Sequence, residues 1–264
     1  MAEAEQSAIP AARPRKPRYA VRVKRIRRLT PRMVRVTFTG EELSGFAWNG
    51  PAAHIKLIFE PQSGQSPAPD GRATMRTYTP RRFDAAAREL DVEFVIHGEG
   101  PASAWAERAE IGQSLTVAGP GRSYAVDPDA DWYVLAGDDT AIPAICTILD
   151  ALPHSVKALA LIEVVDSAEE HPLEARTANT EIRWLRRGAD PRRAGSELEA
   201  AVRRIELLPG AGRIYVACES DAMRRIRRHF ITERAFPRDR LVTRGYWRLG
   251  ETDHPDRDYG EDIA

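Results

Sequence analysis

Four short segments concentrate residue types that could do chemistry. The first is Arg76-Thr-Tyr-Thr-Pro-Arg81. An arginine offers a fork for phosphate, a tyrosine a flat face, and a threonine hydroxyl a hydrogen bond. Period two would place Arg76, Tyr78 and Pro80 on one side of a strand ending at Pro80, with Thr77, Thr79 and Arg81 on the other. An edge strand with charged ends reads equally well. The second is His97-Gly-Glu-Gly-Pro-Ala-Ser-Ala-Trp-Ala106. A strand runs into a Gly-rich turn there, and Pro101 suits the first turn of a short helix. The free N–H groups of such a turn, with Ser103 beside them, make an anion site for a pyrophosphate. A plain strand-to-helix turn is the other reading.

The third segment is Trp132-Tyr-Val-Leu-Ala-Gly-Asp-Asp-Thr-Ala-Ile-Pro-Ala-Ile145. It reads as a strand, its turn and a helix start, and such turns commonly hold a nucleotide phosphate. It lacks G-x-G-x-x-G, so it is not the standard dinucleotide fingerprint. Thr140 either caps the helix or touches a ligand. The fourth is Gly245-Tyr-Trp-Arg-Leu-Gly250, after the last strand. Adjacent aromatics there either pack or face a ligand.

Two kinds of element must position these groups. Up to about residue 120 the apolar residues alternate. Tyr19, Val21 and Val23 form one run, then Val34, Val36 and Phe38, then Ile55, Leu57 and Phe59. Leu90 to Ile96 and Ser114 to Val117 follow the same rhythm, with Pro61 to Gly71 among the turns. Half-buried antiparallel strands at this spacing predict a small barrel or sandwich. From Asp131 the rhythm changes. Short apolar runs at Trp132–Ala136, Val156–Val165, Ile182–Leu185, Ile214–Cys218 and Leu241–Val242 alternate with helical patterns. Ile142, Ile145, Leu149 and Leu152 share one helical face; Leu198, Val202 and Ile205 a second; Met223, Ile226 and Phe230 a third. That alternation predicts βαβ units and a parallel sheet. The fold expected is two-domain: an antiparallel Greek-key β-barrel over 18–122, then an α/β domain with a parallel sheet over 130–250.

Composition sets limits on function. The chain has 264 residues, with 39 Lys plus Arg against 39 Asp plus Glu. Hydrophobic residues make up 42%, enough for packed cores. No apolar run approaches the length of a membrane span, and the N-terminal segment has no apolar core of a secretory signal. Two cysteines, Cys146 and Cys218, exclude a disulfide scaffold, a Cys-ligated iron–sulfur cluster and a structural zinc site. A cytoplasmic enzyme is expected. The neutral total hides segregation. Arg13 to Arg35 holds eleven cations and no acid, whereas six acids lie from Glu251 to the end against Arg257 alone. Residues 1–17 read as a disordered basic arm and 251–264 as a mobile acidic tail.

Together the four segments resemble the siderophore-interacting protein family, FAD-dependent ferric-siderophore reductases with ferredoxin–NADP reductase-like architecture. The resemblance runs from Tyr19 to Gly250 and includes His54-Ile-Lys-Leu57 and Trp184-Leu-Arg-Arg-Gly188. It departs at Gly-Asp-Asp-Thr, where Gly-Asp-Glu-Thr is usual, and at Arg248, where a second basic residue often follows. The resemblance implies FAD, with Arg76 on its phosphates, Thr77 and Tyr78 against the ring and ribityl chain, and Thr79 near N5. Tyr78 and Thr79 would be the catalytic pair. His97, Gly98, Gly100, Ala102 and Ser103 would line the pyrophosphate turn. Asp138, Thr140 and Ala141 would border the cofactor, and Tyr246 and Trp247 its outer face. NADPH or NADH would supply the hydride, with Arg186 and Arg187 placed to meet a 2′-phosphate. The partner would be an anionic ferric siderophore, for which Lys56, Arg81, Arg82, Arg122 and Arg248 are the candidate cations. Metal-ligand clusters are absent from the sequence, which agrees with iron arriving inside a chelate. Two rival readings remain. One is a flavin enzyme of this fold with a different acceptor. The other is a nucleic-acid-binding protein using the arm and the helix Arg224-Arg-Ile-Arg-Arg-His229.

Overall fold

A computed structural model describes residues 16–59, 73–98, 100–176, 179–255 and 257–260. The expected basic arm (1–15), the turn at 61–71 and the last four residues lie outside these. Lys16 and Pro17, assigned to the arm, are tied to the first half: Gly119 N–H donates to the Pro17 carbonyl at 3.0 Å.

Seven antiparallel strands form the first half: β1 (Arg18–Thr30), β2 (Met33–Thr39), β3 (Ile55–Phe59), β4 (Thr74–Tyr78), β5 (Pro80–Asp84), β6 (Glu89–Val95) and β7 (Ser114–Ala118). Their order is β4-β3-β7-β1-β2-β6-β5. The outermost strands, β4 and β5, are consecutive in the chain and joined by Thr79 alone, so the sheet must curl until its edges meet at that residue. The alternating residues point inward: Tyr19, Val21, Val36, Phe38, Leu57, Val92, Phe94 and Val117 form one core. Helix α1 (Pro101–Glu107) closes it, with Trp105 against Phe38, Phe59 and Phe94. The hexapeptide is therefore not one strand running to Pro80. It breaks at Thr79, because β4 pairs with β3 and β5 pairs with β6 on the opposite edge.

The second half is a parallel sheet in the order β10-β9-β8-β11-β12. Its strands are β8 (Trp132–Asp138), β9 (Lys157–Val164), β10 (Thr180–Arg186), β11 (Gly212–Glu219) and β12 (Leu241–Trp247). Every residue of β8 is buried because both faces are covered. Tyr133 and Leu135 face α2 (Ile142–Ala151). Trp132, Val134 and Ala136 face α3 (Ser196–Arg204) and α4 (Ser220–Arg228). Helix α2 is buried on all sides, not on one face, since Met33, Leu29 and Val95 of the barrel pack on it as well. Gly137 permits the tight turn from β8. A Cβ there would lie 2.5 Å from that of Ala141 and 2.7 Å from the Ala217 carbonyl.

Polar contacts complete the junction of the halves. Arg35 binds Glu93 at 2.6 Å and Glu174 at 2.5 Å. Thr30 donates to Glu169 at 2.5 Å. Arg81 pairs with Asp150 at 3.1 Å and donates to the Glu174 carbonyl. No helix among the described residues is long and apolar enough to cross a membrane.

The described part of the acidic segment is not a loose tail. Residues 251–255 and 257–260 fold back on β12 and α4. Gly245 bridges Asp258, whose buried carboxylate meets Ser220, Arg224 at 2.9 Å and His254 at 2.9 Å.

Candidate functional site

Where the barrel's curl meets the carboxyl ends of the parallel strands, a cleft of about 730 Å³ opens. That lies within the usual range for small-molecule sites, about 300–1,000 Å³. The barrel supplies His54, Lys56, Arg76, Thr77, Tyr78 and Thr79 from β4 and its neighbours, and His97, Gly100, Ala102 and Ser103 from the turn into α1. The other wall carries Asp139, Thr140, Tyr246 and Trp247. Glu251 to Pro255 close the third side.

Each element has a local reason. Ser103 accepts the His97 backbone N–H at 2.8 Å, which fixes the turn, and Gly98 takes φ +59° within it. No side chain caps the start of α1. The ring of His54 lies against Gly121; a Cβ at that position would be 1.9 Å from its Nε2. Tyr78 packs on Phe94 at 4.6 Å, and burial pushes its phenol well above the ordinary range. Tyr246 shares a hydrogen bond with the Tyr215 hydroxyl at 2.9 Å, and burial raises its phenol too. Both rings thus present neutral faces to the cleft. Arg76 is 23% exposed and meets Asp253 at 3.3 Å.

Several expected site residues lie elsewhere. Arg81 is 8% exposed and held by Asp150 and Glu174 at the junction, away from the cleft wall. Arg82 is exposed and paired loosely with Asp84. Arg248 pairs with Asp221 and Glu251, also off the wall. Asp138 and Ala141 are buried beneath it, Asp138 as the acceptor of the Trp247 indole N–H at 2.8 Å. Gly98 shapes the turn without lining the cleft. Arg186 pairs with Glu170 at 2.6 Å, and Arg187 sits 3.7 Å from Glu163. Of the proposed substrate cations, Lys56 and Arg122 line the cleft. The four-arginine helix is engaged inward: Arg224 with Asp258, Arg225 with Glu199, and Arg227 with Thr243.

Sequence reading missed Asp139, Tyr124, Tyr215 and Arg244 as lining residues. Asp139 was within a quoted motif, but nothing distinguished its side chain from that of Asp138. Tyr215 sits inside an apolar strand and gave no signal. Asp139 carries a pH prediction. Burial, and then the Asp138 carboxylate beside it, push its carboxyl up from 3.8 to about 7, with Arg187 opposing. Between those values the folded chain holds a proton that the unfolded chain has released, so this group's contribution to stability falls as pH rises. Asp139→Asn removes the effect. Thermal unfolding should show the variant gaining on the wild type between pH 5 and pH 8; an equal difference at both pH values contradicts the assignment.

Comparison with known proteins fits this arrangement. Residues 22–124 match the siderophore-interacting FAD-binding domain, and residues 130–250 the siderophore-interacting protein model. The chain belongs to the siderophore-interacting protein family. It is 34% identical to the ferric vibriobactin reductase of Vibrio cholerae, over 84% of this chain and 86% of that one. It is 30% identical to the NADPH-dependent ferric-chelate reductase of Escherichia coli, over 88% and 97%. Its fold matches a siderophore utilization protein from T. fusca with a TM-score of 0.81 and 37% identity, over 91% and 96% of the two chains. At the level of fold alone, a Neisseria gonorrhoeae ferredoxin NADP+ reductase solved with FAD and NADP also matches. Its TM-score is 0.60 at 14% identity, over 81% and 90%. The two-domain, ferredoxin–NADP reductase-like architecture expected from the sequence is therefore the one observed.

Proposed function

We propose that this protein is an FAD-dependent ferric-siderophore reductase drawing electrons from NAD(P)H. The observation that carries the reading is the cleft itself. An arginine, a half-buried tyrosine and a corner threonine from an FAD-binding barrel face two aromatics at the sheet's carboxyl end. The residues fit the cofactor. Tyr78 and Tyr246 offer neutral aromatic faces, Arg76 a fork for phosphate, and the uncapped start of α1 free N–H groups. Two of the relatives are ferric vibriobactin and ferric-chelate reductases by name, which supports the same substrate class here.

Bound FAD supplies the chemistry, accepting a hydride and passing on single electrons. The chain's residues do the positioning. Arg76 holds the anionic end, with Thr77 beside it. Tyr78 would back the ring, and Thr79 presents a polar atom at the barrel corner. His97, Gly100, Ala102 and Ser103 form the turn that takes the pyrophosphate. The inward-facing tyrosines and the folded-back segment 251–255 limit water at the cleft. Lys56 and Arg122 attract an anionic chelate to the mouth. Arg186, exposed and paired among the described residues with Glu170, is the better candidate for a 2′-phosphate than Arg187, which lies beside buried Glu163.

Lys56→Ala and Arg122→Ala should slow ferric-chelate reduction and leave the hydride step nearly unchanged. The wild-type rate should fall with salt, since the Debye length is about 8 Å at physiological ionic strength. Stopped-flow absorbance of the two half-reactions separates these effects. Equal slowing of both half-reactions would remove the capture role.

A further inference from the structure

Behind the Tyr246–Trp247 wall lie two buried polar side chains that the reaction as described does not use. Asp138 is 3% exposed. Its Oδ2 accepts the Trp247 indole N–H at 2.8 Å and the Glu219 backbone N–H at 3.0 Å. Its Oδ1 accepts the Thr140 backbone N–H at 3.0 Å and the Thr140 hydroxyl at 2.5 Å. One carboxylate thus ties together the ends of β8, β11 and β12. Tyr215, in β11, is 2% exposed, and its hydroxyl lies 2.9 Å from that of Tyr246. Its ring is set edge-on to Tyr124 at 5.3 Å. The polar atom of each wall ring is therefore captured from behind.

We propose that Asp138 and Tyr215 are positioning residues that lock Trp247 and Tyr246, making this wall a fixed face of the site and not a flap that swings aside. The inference rests on the cofactor reading for its consequence and on the hydrogen bonds for its geometry. Two aromatic side chains at a strand's end would otherwise rotate about their χ angles. Ordering each one on binding opposes association by about 0.5–1.5 kcal/mol. A wall ordered in advance spares the ligand that term. The indole lock is also directional: an amide at position 138 would turn its NH2 toward two of the four donors, those of one carboxylate oxygen.

Tyr215→Phe removes one hydroxyl and keeps the ring. In apo-protein titrated with FAD it should weaken binding about two- to twelve-fold, the range of ordering one side chain on binding. The loss should vanish in a Tyr246→Phe background. Asp138→Asn should behave likewise against Trp247→Phe. A loss of the same size in both backgrounds, or no loss at all, overturns the proposal. Should Asp138→Asn not fold, the tyrosine pair carries the test alone. A second readout needs no cofactor. The Trp247 indole N–H of apo-protein should exchange slowly with solvent in the wild type and faster in folded Asp138→Asn; fast exchange in the wild type overturns the lock. A wild-type chain that shows slow exchange but binds no FAD contradicts the reductase reading and leaves the lock standing.

Discussion

Apo-protein carrying Arg76→Ala should bind FAD about 10- to 150-fold more weakly than the wild-type chain. The figure follows from one charge-assisted contact to phosphate, about 1.5–3 kcal/mol. Arg76 sits on edge strand β4 inside the cleft, 23% exposed, with Asp253 as its ion-pair partner at 3.3 Å. Asp253 is 76% exposed, and a pair so open to solvent contributes at most about 1 kcal/mol. A diphosphate, held at the same time by the turn before α1, should displace it. Arg82→Ala is the control, since Arg82 is exposed and only loosely paired. Fluorescence titration of both variants decides the matter. Equal affinities would remove Arg76 from the phosphate site.

The second large effect falls on stability. Arg81→Ala should lower the melting temperature by roughly 4–16 °C, from about 2–4 kcal/mol at about 2–4 °C per kcal/mol for a chain of this size. Arg81 is 8% exposed and joins the barrel to the α/β half through Asp150 and the Glu174 carbonyl. Its loss leaves the Glu174 carbonyl without this donor and the Asp150 carboxylate without this cation. Asp150 is 37% exposed, so the effect stays below that of a fully buried pair. Calorimetry of apo-protein measures the shift. An unchanged melting temperature with impaired chelate reduction would return Arg81 to the role of substrate cation that its position in the sequence suggested.

Arg81 illustrates where sequence reading stops. Periodicity shows which residues of a strand share a side, and it located the strands of the parallel sheet and those of the barrel apart from β5, which the hexapeptide reading ended at Pro80. It does not show that the strand breaks. The two edges of the barrel meet at Thr79, and that closure depends on the pairing of β4 with β3 and of β5 with β6, which are distant in sequence. Beyond the break, Arg81 turns toward the junction and away from the cleft. Asp138 and Asp139 make a similar case. They are adjacent, alike and in one motif, yet one is buried beneath Trp247 and the other lines the cleft. Only the twist of the turn after β8 separates them. The acidic C-terminal segment misled for another reason. Its composition is that of a solvated tail, but Asp258 finds Ser220, Arg224 and His254 on α4 and within its own segment. Specific partners offset the ordering entropy that composition alone would leave uncompensated. By contrast, Arg76, Tyr78, Ser103 and Tyr246 were legible because strand ends and Gly-rich turns place side chains at sheet margins, whatever the details of packing.

The central claim is electron transfer from a nicotinamide through bound FAD to a chelated ferric ion. It is tested most directly by anaerobic stopped-flow absorbance on the FAD-loaded protein. NADPH or NADH should bleach the flavin band, and a panel of ferric siderophores added next should restore it while a ferrous trap develops colour at two irons per flavin. At least one ferric siderophore should restore the band faster than dissolved oxygen does. If none outpaces oxygen, the siderophore assignment is contradicted and a reductase of the same fold with another acceptor takes its place.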